Sequence, residues 1–263
     1  MSRPLRILIV VIVVAAVVAA NVVRRHGPVS GVEVLIEYPC VDTLETVGHV
    51  EAMIQQQMPE LATLRIKDVD TKAVAAVVAQ SPYLCNERVS VGMTGRVKVC
   101  ACQRKPILRV HCGNERFYVD ETGLTMPLSP RGHADVTVAS GHFGQRLTQG
   151  HGPINLAEWQ DDSVRSHYTL AQLWKLTDYL YHDNDRLAGY DHIYIDAKGN
   201  FCLVPSWADF TVVLGSPDGL EEKMRHLDRF VERVLPVKGW DAYSKVNLKY
   251  KRQIVCRKRD ENK

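Results

Sequence analysis

The 263-residue chain has little net charge, few aromatic residues and no glycine-rich nucleotide motif. A formal charge of +3 is too slight to hold a phosphate backbone, and no basic, aromatic-interleaved tract occurs, which argues against nucleic acid as a partner. Neither G-x-G-x-x-G nor a P-loop is present to cradle a nucleotide phosphate. Ser140-Gly141-His142 and Ser206 lack the G-x-S-x-G elbow of a hydrolase. No C-x₂₋₄-C pair offers a structural zinc site. Among ten histidines, His133, His142 and His151 are spaced too widely for one helix face, and His182 suits a helix C-terminus as a cation. These absences leave no catalytic, cofactor-binding or metal site, and the reading is a protein without enzymatic activity or cofactor.

Cysteine is present but not as a framework. Seven residues, an odd count, cannot all pair internally, and their spacing matches no disulfide scaffold. Cys100-Ala101-Cys102 puts two thiols on one strand face, too close in sequence to bridge easily. The expectation is that most of the seven are small buried apolar residues.

An apolar content of 46% and a charged content of 24% are ordinary for a globular protein, but the N-terminus is not. Residues 7–23 read ILIVVIVVAAVVAANVV, broken only by Asn21. As a helix that run is about 25 Å long, near the lower limit for spanning a bilayer core. A cleaved signal peptide, ending near Val18-Ala19-Ala20, is the alternative; the run exceeds the usual apolar region of such a signal. The anchor reading makes residues 1–6 a short cytoplasmic N-terminus and residues 7–23 a transmembrane helix in the lipid bilayer, with the rest of the chain exported.

After Gly27-Pro28 the pattern becomes that of an α+β protein. Residues 32–38, VEVLIEY, alternate like a strand. Asp42-Thr43-Leu44-Glu45 has the form of a capping box, and Leu44, Val47, Val50, Ile54 and Met58 follow at helical spacing. A second helix is expected over 71–80, then two strands joined through Thr94-Gly95. The order strand, helix, helix, strand, strand is a compact module with its helices on one face of a small sheet. From Lys105 onward short strands dominate, with helices expected at 168–182 and 219–234 and no clear period over 141–167. That half reads as a mainly antiparallel β domain with two packed helices.

Asp120 and Glu121 invite a reading as the acid and base of a hydrolase. Residues 118–128, YVDETGLTMPL, repeat in outline as 194–204, YIDAKGNFCLV. The shared Asp and Gly are what a turn needs, and Ala197 stands where Glu121 stood. The pair is therefore assigned to a hairpin.

The last expected strand covers 243–256. Val246, Leu248, Tyr250, Ile254 and Cys256 face one way, with Arg252 as the exception, and Asn247, Lys249, Lys251, Gln253 and Val255 face the other. No proline blocks the ladder, so a terminal strand here could pair with a partner's strand. Lys251, Arg252, Arg257, Lys258 and Arg259 make that end basic and favour an acidic partner. A solvated tail on an internal strand is equally consistent with the residues alone.

The N-terminal anchor, the β-α-α-β-β module, SPYLCNERVSV, QRKPILRV, YVDETGLTMPLS and GWDAYSKVNLKYKRQIVCRK together resemble the FtsQ/DivIB family of bacterial cell-division proteins, in the style of its Bacteroidota branch. The resemblance spans nearly the whole chain and rests on the order of these segments. It implies a POTRA domain over residues 31–103, a β domain over 104–257 and a basic, polar tail over 258–263. It implies a bitopic inner-membrane scaffold, mostly periplasmic, at the division septum, which recruits other divisome components. The family's last strand binds FtsB-like and FtsL-like coiled-coil proteins by strand addition. Carried over, NLKY places Tyr250 at the contact tyrosine, with Leu248, Lys249, Lys251, Arg252, Gln253, Ile254, Val255 and Cys256 beside it. Cys256 stands near the place where some members carry Trp. Two rival readings are an exported POTRA-bearing assembly or secretion component, and an exported enzyme or ligand-binding protein with its site in the 141–167 loop.

Overall fold

This structure, a computed structural model, describes residues 3–92, 94–144, 153–184 and 186–259. The fold is mixed α+β, with one large sheet, one small sheet and few helices. The chain forms two compact units: residues 1–104 with 129–132, and residues 105–128 with 133–263.

Unit 1 begins with helix α1, Arg3–Arg25. Among the described residues no helix is long and apolar enough to cross a membrane. The apolar side chains of α1 that are described, among them Val11, Val13, Val17 and Val23, are exposed, by 54–74% for those four.

Strand β1 (Gly31–Glu37), helices α2 (Val47–Gln57) and α3 (Thr71–Val78), and strands β2 (Leu84–Val91) and β3 (Arg96–Gln103) complete the unit. The sheet order is β1-β3-β2. β3 runs antiparallel to β2 across a tight turn, where Gly95 takes φ +80°. It runs parallel to β1, because the two-helix crossover returns the chain to the same end of the sheet. Val34, Val97, Val99 and Ala101 bury one sheet face in a core shared with Val50 and Ile54 of α2 and Val74 and Val78 of α3.

The capping box expected at Asp42–Glu45 is not the cap of α2. Thr46 is the N-cap, and its hydroxyl accepts from the His49 amide at 3.3 Å. Glu45 instead lies fully buried, and its carboxylate collects the Ser81 hydroxyl (2.7 Å), the Thr46 amide (3.0 Å), Arg131 (2.9 Å) and His49 (3.0 Å). A buried carboxylate persists only when its oxygens are paired in this way. The buried Gln103 side chain accepts from the Leu44 and Glu45 amides, and Ser129 donates to the Leu44 carbonyl at 2.6 Å.

Unit 2 is built on a nine-stranded sheet in the order β12-β11-β10-β9-β8-β7-β4-β5-β6. Its strands are β4 (Pro106–Cys112), β5 (Glu115–Asp120), β6 (Thr125–Pro127), β7 (Thr137–Gly141), β8 (Tyr190–Ile195), β9 (Phe201–Pro205), β10 (Thr211–Gly215), β11 (Tyr243–Asn247) and β12 (Val255–Lys258). Helices α4 (Thr169–His182) and α5 (Leu220–Arg233) and the short α6 (Leu235–Lys238) accompany it. The sheet is less uniformly antiparallel than expected. β7 pairs β8 in parallel, and so do β10 and β11. The reason is that α4 and α5 are the crossovers between those strands, and a crossover restores strand direction. Leu170, Leu173, Trp174 and Leu180 of α4, with Met224, Leu227 and Phe230 of α5, cover one sheet face lined by Val110, Ile193, Leu203, Val212 and Val246.

The two related turns have the same construction. Asp120 accepts from the Thr122 and Leu124 amides, and Asp196 accepts from those of Lys198 and Asn200, each at 2.8–2.9 Å. Gly123 and Gly199 follow at φ +87° and +74°. Glu121 accepts the Tyr181 hydroxyl at 2.8 Å.

Partly buried histidines on the opposite sheet face make unit 2 sensitive to acid. Burial, then Arg116, Arg109 and His192, hold His111 below its ordinary value, and burial alone lowers His192, whose Nε2 lies 2.8 Å from the Ser140 hydroxyl. The unfolded chain therefore binds protons that the folded one refuses. Stability from these sites is complete above about pH 6.5, the free histidine value, and falls as the pH drops below it. Denaturant titrations on both sides of that pH measure the slope, and His192→Gln should flatten it.

Candidate partner-binding edge

The terminal segment of the sequence reaches the edge of the large sheet, but not as one strand. The expected strand over 243–256 is divided into β11, a loop over 248–254, and β12, which folds back antiparallel along β11. Asn247 starts the reversal, since its side-chain oxygen accepts the Lys249 amide at 3.0 Å. Arg252, the exception to the alternation, sits in the turn at φ +62°. β11 is thus an internal strand between β10 and β12, and β12 takes the outer position.

The nine residues named from the sequence separate accordingly. Leu248 is buried, and its amide donates to the Val213 carbonyl at 2.8 Å. Ile254 and Cys256 pack partly buried against the core. Lys249, Tyr250, Lys251, Arg252 and Gln253 are exposed in the loop, with Tyr250 at 49%. The Lys249 stem crosses Gly215, where an added Cβ would meet Lys249 Cγ at 2.7 Å. Only Val255 and Cys256 of the nine belong to the edge strand.

The outer side of β12 has no strand beside it among the described residues. The other end of the sheet is closed off. There β6 has three residues and ends in Pro127, and its Thr125 amide donates to the Ile154 carbonyl at 2.8 Å. Proline and coverage are ordinary means of blunting an edge. β12 has neither.

Along β12 the backbone alternates. The Arg259 amide points inward, donating to the Ala242 carbonyl at 3.1 Å. By the two-residue repeat, the amides of Arg257 and Val255 also point inward, and those of Cys256 and Lys258 point outward. Beside this edge, α5 and the terminal hairpin form a groove of about 600 Å³, lined by Phe230, Tyr243 and Ile254 together with Arg229, Arg233 and Arg252. The groove had no signal in the sequence, because α5 and the hairpin contribute separate parts of its basic lining.

The 141–167 loop gathers no comparable arrangement in the part that is described; residues 145–152, including His151, lie outside the described residues. Among those described, no group of three or more histidine, cysteine or acidic side chains is placed to hold a metal ion.

No curated protein matches the sequence. A family model described as FtsQ/DivIB, C-terminal related, matches residues 105–257, more than half of the chain and nearly all of the unit that carries the edge. The chain therefore belongs to the FtsQ/DivIB C-terminal related family, which gives it a role in bacterial cell division.

Proposed function

We propose that the protein is a non-catalytic, membrane-anchored scaffold of the bacterial divisome that binds a partner strand along β12. The observation that carries this reading is the open outer edge of β12, at one end of a sheet whose other end is blunted. Strand addition supplies affinity through main-chain hydrogen bonds, and neighbouring pockets supply selectivity. Lys251, Arg252, Arg257, Lys258 and Arg259 in and around the hairpin would repel a second copy of the same edge and attract an acidic segment. FtsB-like and FtsL-like coiled-coil proteins are the partners proposed from the family.

Residues 31–103 are proposed as the POTRA domain, on the strength of their strand-helix-helix-strand-strand order and the parallel β1–β3 pairing. Residues 104–257 are proposed as the β domain, and 258–263 as a basic and polar tail. The anchor is proposed as residues 7–23 of α1, with 1–6 on the cytoplasmic side and the remainder periplasmic at the septum. The exposed apolar side chains of α1 support it, because such a surface needs an apolar medium around it.

The test uses the loop beside the edge. Tyr250→Ala combined with Lys249→Glu, at unchanged protein level, should block septation and give filaments. It should also weaken co-purification of the coiled-coil partners from solubilised membranes by about 30-fold, a loss on the scale of an interface hot spot. Normal septation with undiminished co-purification refutes the site.

A further inference from the structure

The cysteines are not mostly buried. Cys112 and Cys202 are, but Cys100 is exposed and Cys40, Cys85, Cys102 and Cys256 are partly exposed. Three of these lie on one surface. The sheet face of unit 1 that bears Val34, Val97, Val99 and Ala101 is the core face, so by strand alternation Cys100 and Cys102 of β3 stand on the opposite face. Cys85 of β2 is the direct antiparallel partner of Cys102, and Cys100 is opposite Arg88.

Directly opposed residues in an antiparallel ladder have Cα atoms about 4.5–5.5 Å apart, within the roughly 4.4–6.8 Å that a disulfide spans. The Cys85 Sγ already donates to the Cys102 carbonyl at 3.4 Å. A β-bulge between Cys85 and Arg88, with Asn86 at φ +57°, adds a point where β2 can adjust as the sulfurs close. Cys100 is less well placed for either neighbour. Its separation from Cys102 is two strand residues, about 6.6 Å along the chain, and Cys85 is its diagonal rather than its direct neighbour.

We propose that Cys85 and Cys102 form a reversible cross-strand disulfide, closed by exchange with an external disulfide and reopened by an external thiol. The Cys102 thiolate attacks one sulfur of the external disulfide, forming a mixed disulfide and expelling one thiolate. The Cys85 thiolate then attacks the Cys102 sulfur, forming the S–S bond between the strands and expelling the second. The protein loses two protons and two electrons, and the external disulfide becomes two thiols. Attack is assigned first to Cys102, because burial pushes the Cys85 thiol up and slows its reaction as a nucleophile. Closure would pin β2, whose other side has no strand among the described residues.

The test is a peptide map of the full chain in detergent after incubation with glutathione disulfide, acid quenching and alkylation. The expected result is a linked pair of peptides carrying Cys85 and Cys102, with two fewer alkylatable thiols. Dithiothreitol should restore both, and closure should quicken as pH rises. Cys85→Ala should leave a stable glutathione adduct on Cys102 instead. Separate adducts on Cys85 and Cys102 in the unaltered protein, a bridge through Cys100, or no reaction at either residue overturns the proposal. The map of the unaltered protein decides the matter even if a variant fails to fold.

Discussion

Glu45→Ala should destabilise unit 1 by about 3–5 kcal/mol, the cost of removing one partner from a buried ion pair. A domain of this size has about 5–15 kcal/mol in all, so the loss is about a fifth of it or more. At about 4–8 °C per kcal/mol, the unfolding midpoint of the unit should fall by more than about 10 °C. The reason is geometric. The carboxylate is fully buried and receives Ser81, Thr46, His49 and Arg131. Alanine leaves the Arg131 Nη2 and the Ser81 hydroxyl without their acceptor, beside an Arg131 Nε that is buried and unpaired among the described residues.

Arg131→Ala should cost a similar amount, because it strands the buried carboxylate. The double variant should cost clearly less than the sum, since each single change leaves behind a group that the other removes. Thermal unfolding followed through the signals of unit 1 supplies all the terms. Additive losses would mean that Glu45 and Arg131 act separately.

This network was illegible in the sequence, although its residues stood in view. Asp42-Thr43-Leu44-Glu45 has the spacing of a capping box, and a local rule was satisfied by the wrong reading. What decided otherwise was Arg131, 86 residues away, together with Gln103 and Ser81. Contacts of that range leave no periodic trace. Local patterns fared better. The spacing of Val74, Val77 and Val78, or of Leu220, Met224 and Leu227, names a buried helix face because 3.6-residue periodicity is written directly in the chain. The two Asp-x-x-Gly turns were readable for a similar reason: side-chain capping and positive φ act within four residues.

The terminal segment divides along the same line. Its alternation identified the inward side of Val246, Leu248, Ile254 and Cys256, all of which contact the core. It missed the reversal at 248–254, since an alternating run reads alike in one long strand and in two antiparallel ones. Asn247, which begins the turn, and Arg252, out of step with its neighbours, were the available signals. The exposure of Cys85, Cys100 and Cys102 was a further miss. Cysteine's usual preference for the interior gave way to strand alternation, which sends every second side chain of β3 outward.

Proline substitutions in β12 should separate partner binding from folding. Cys256→Pro and Lys258→Pro remove amides that point away from β11, so the sheet keeps its own ladder. Proline is tolerated on an edge strand when its nitrogen faces outward. Each removes one donor from the proposed intermolecular ladder, worth about 0.5–1.5 kcal/mol, and its ring blocks the close approach of a second strand. Together they should weaken partner binding at least about tenfold, with little change in the unfolding of unit 2. Arg257→Pro is the contrasting variant: its amide faces β11, next to the Arg259–Ala242 bond, so it should loosen the hairpin itself. Amide exchange in β11 and β12, measured beside binding of the coiled-coil partner, distinguishes the two classes. If Cys256→Pro with Lys258→Pro binds as the unaltered chain does, the partner does not add a strand to β12. The exposed loop around Tyr250 and the basic groove beside α5 would then have to hold it without main-chain pairing.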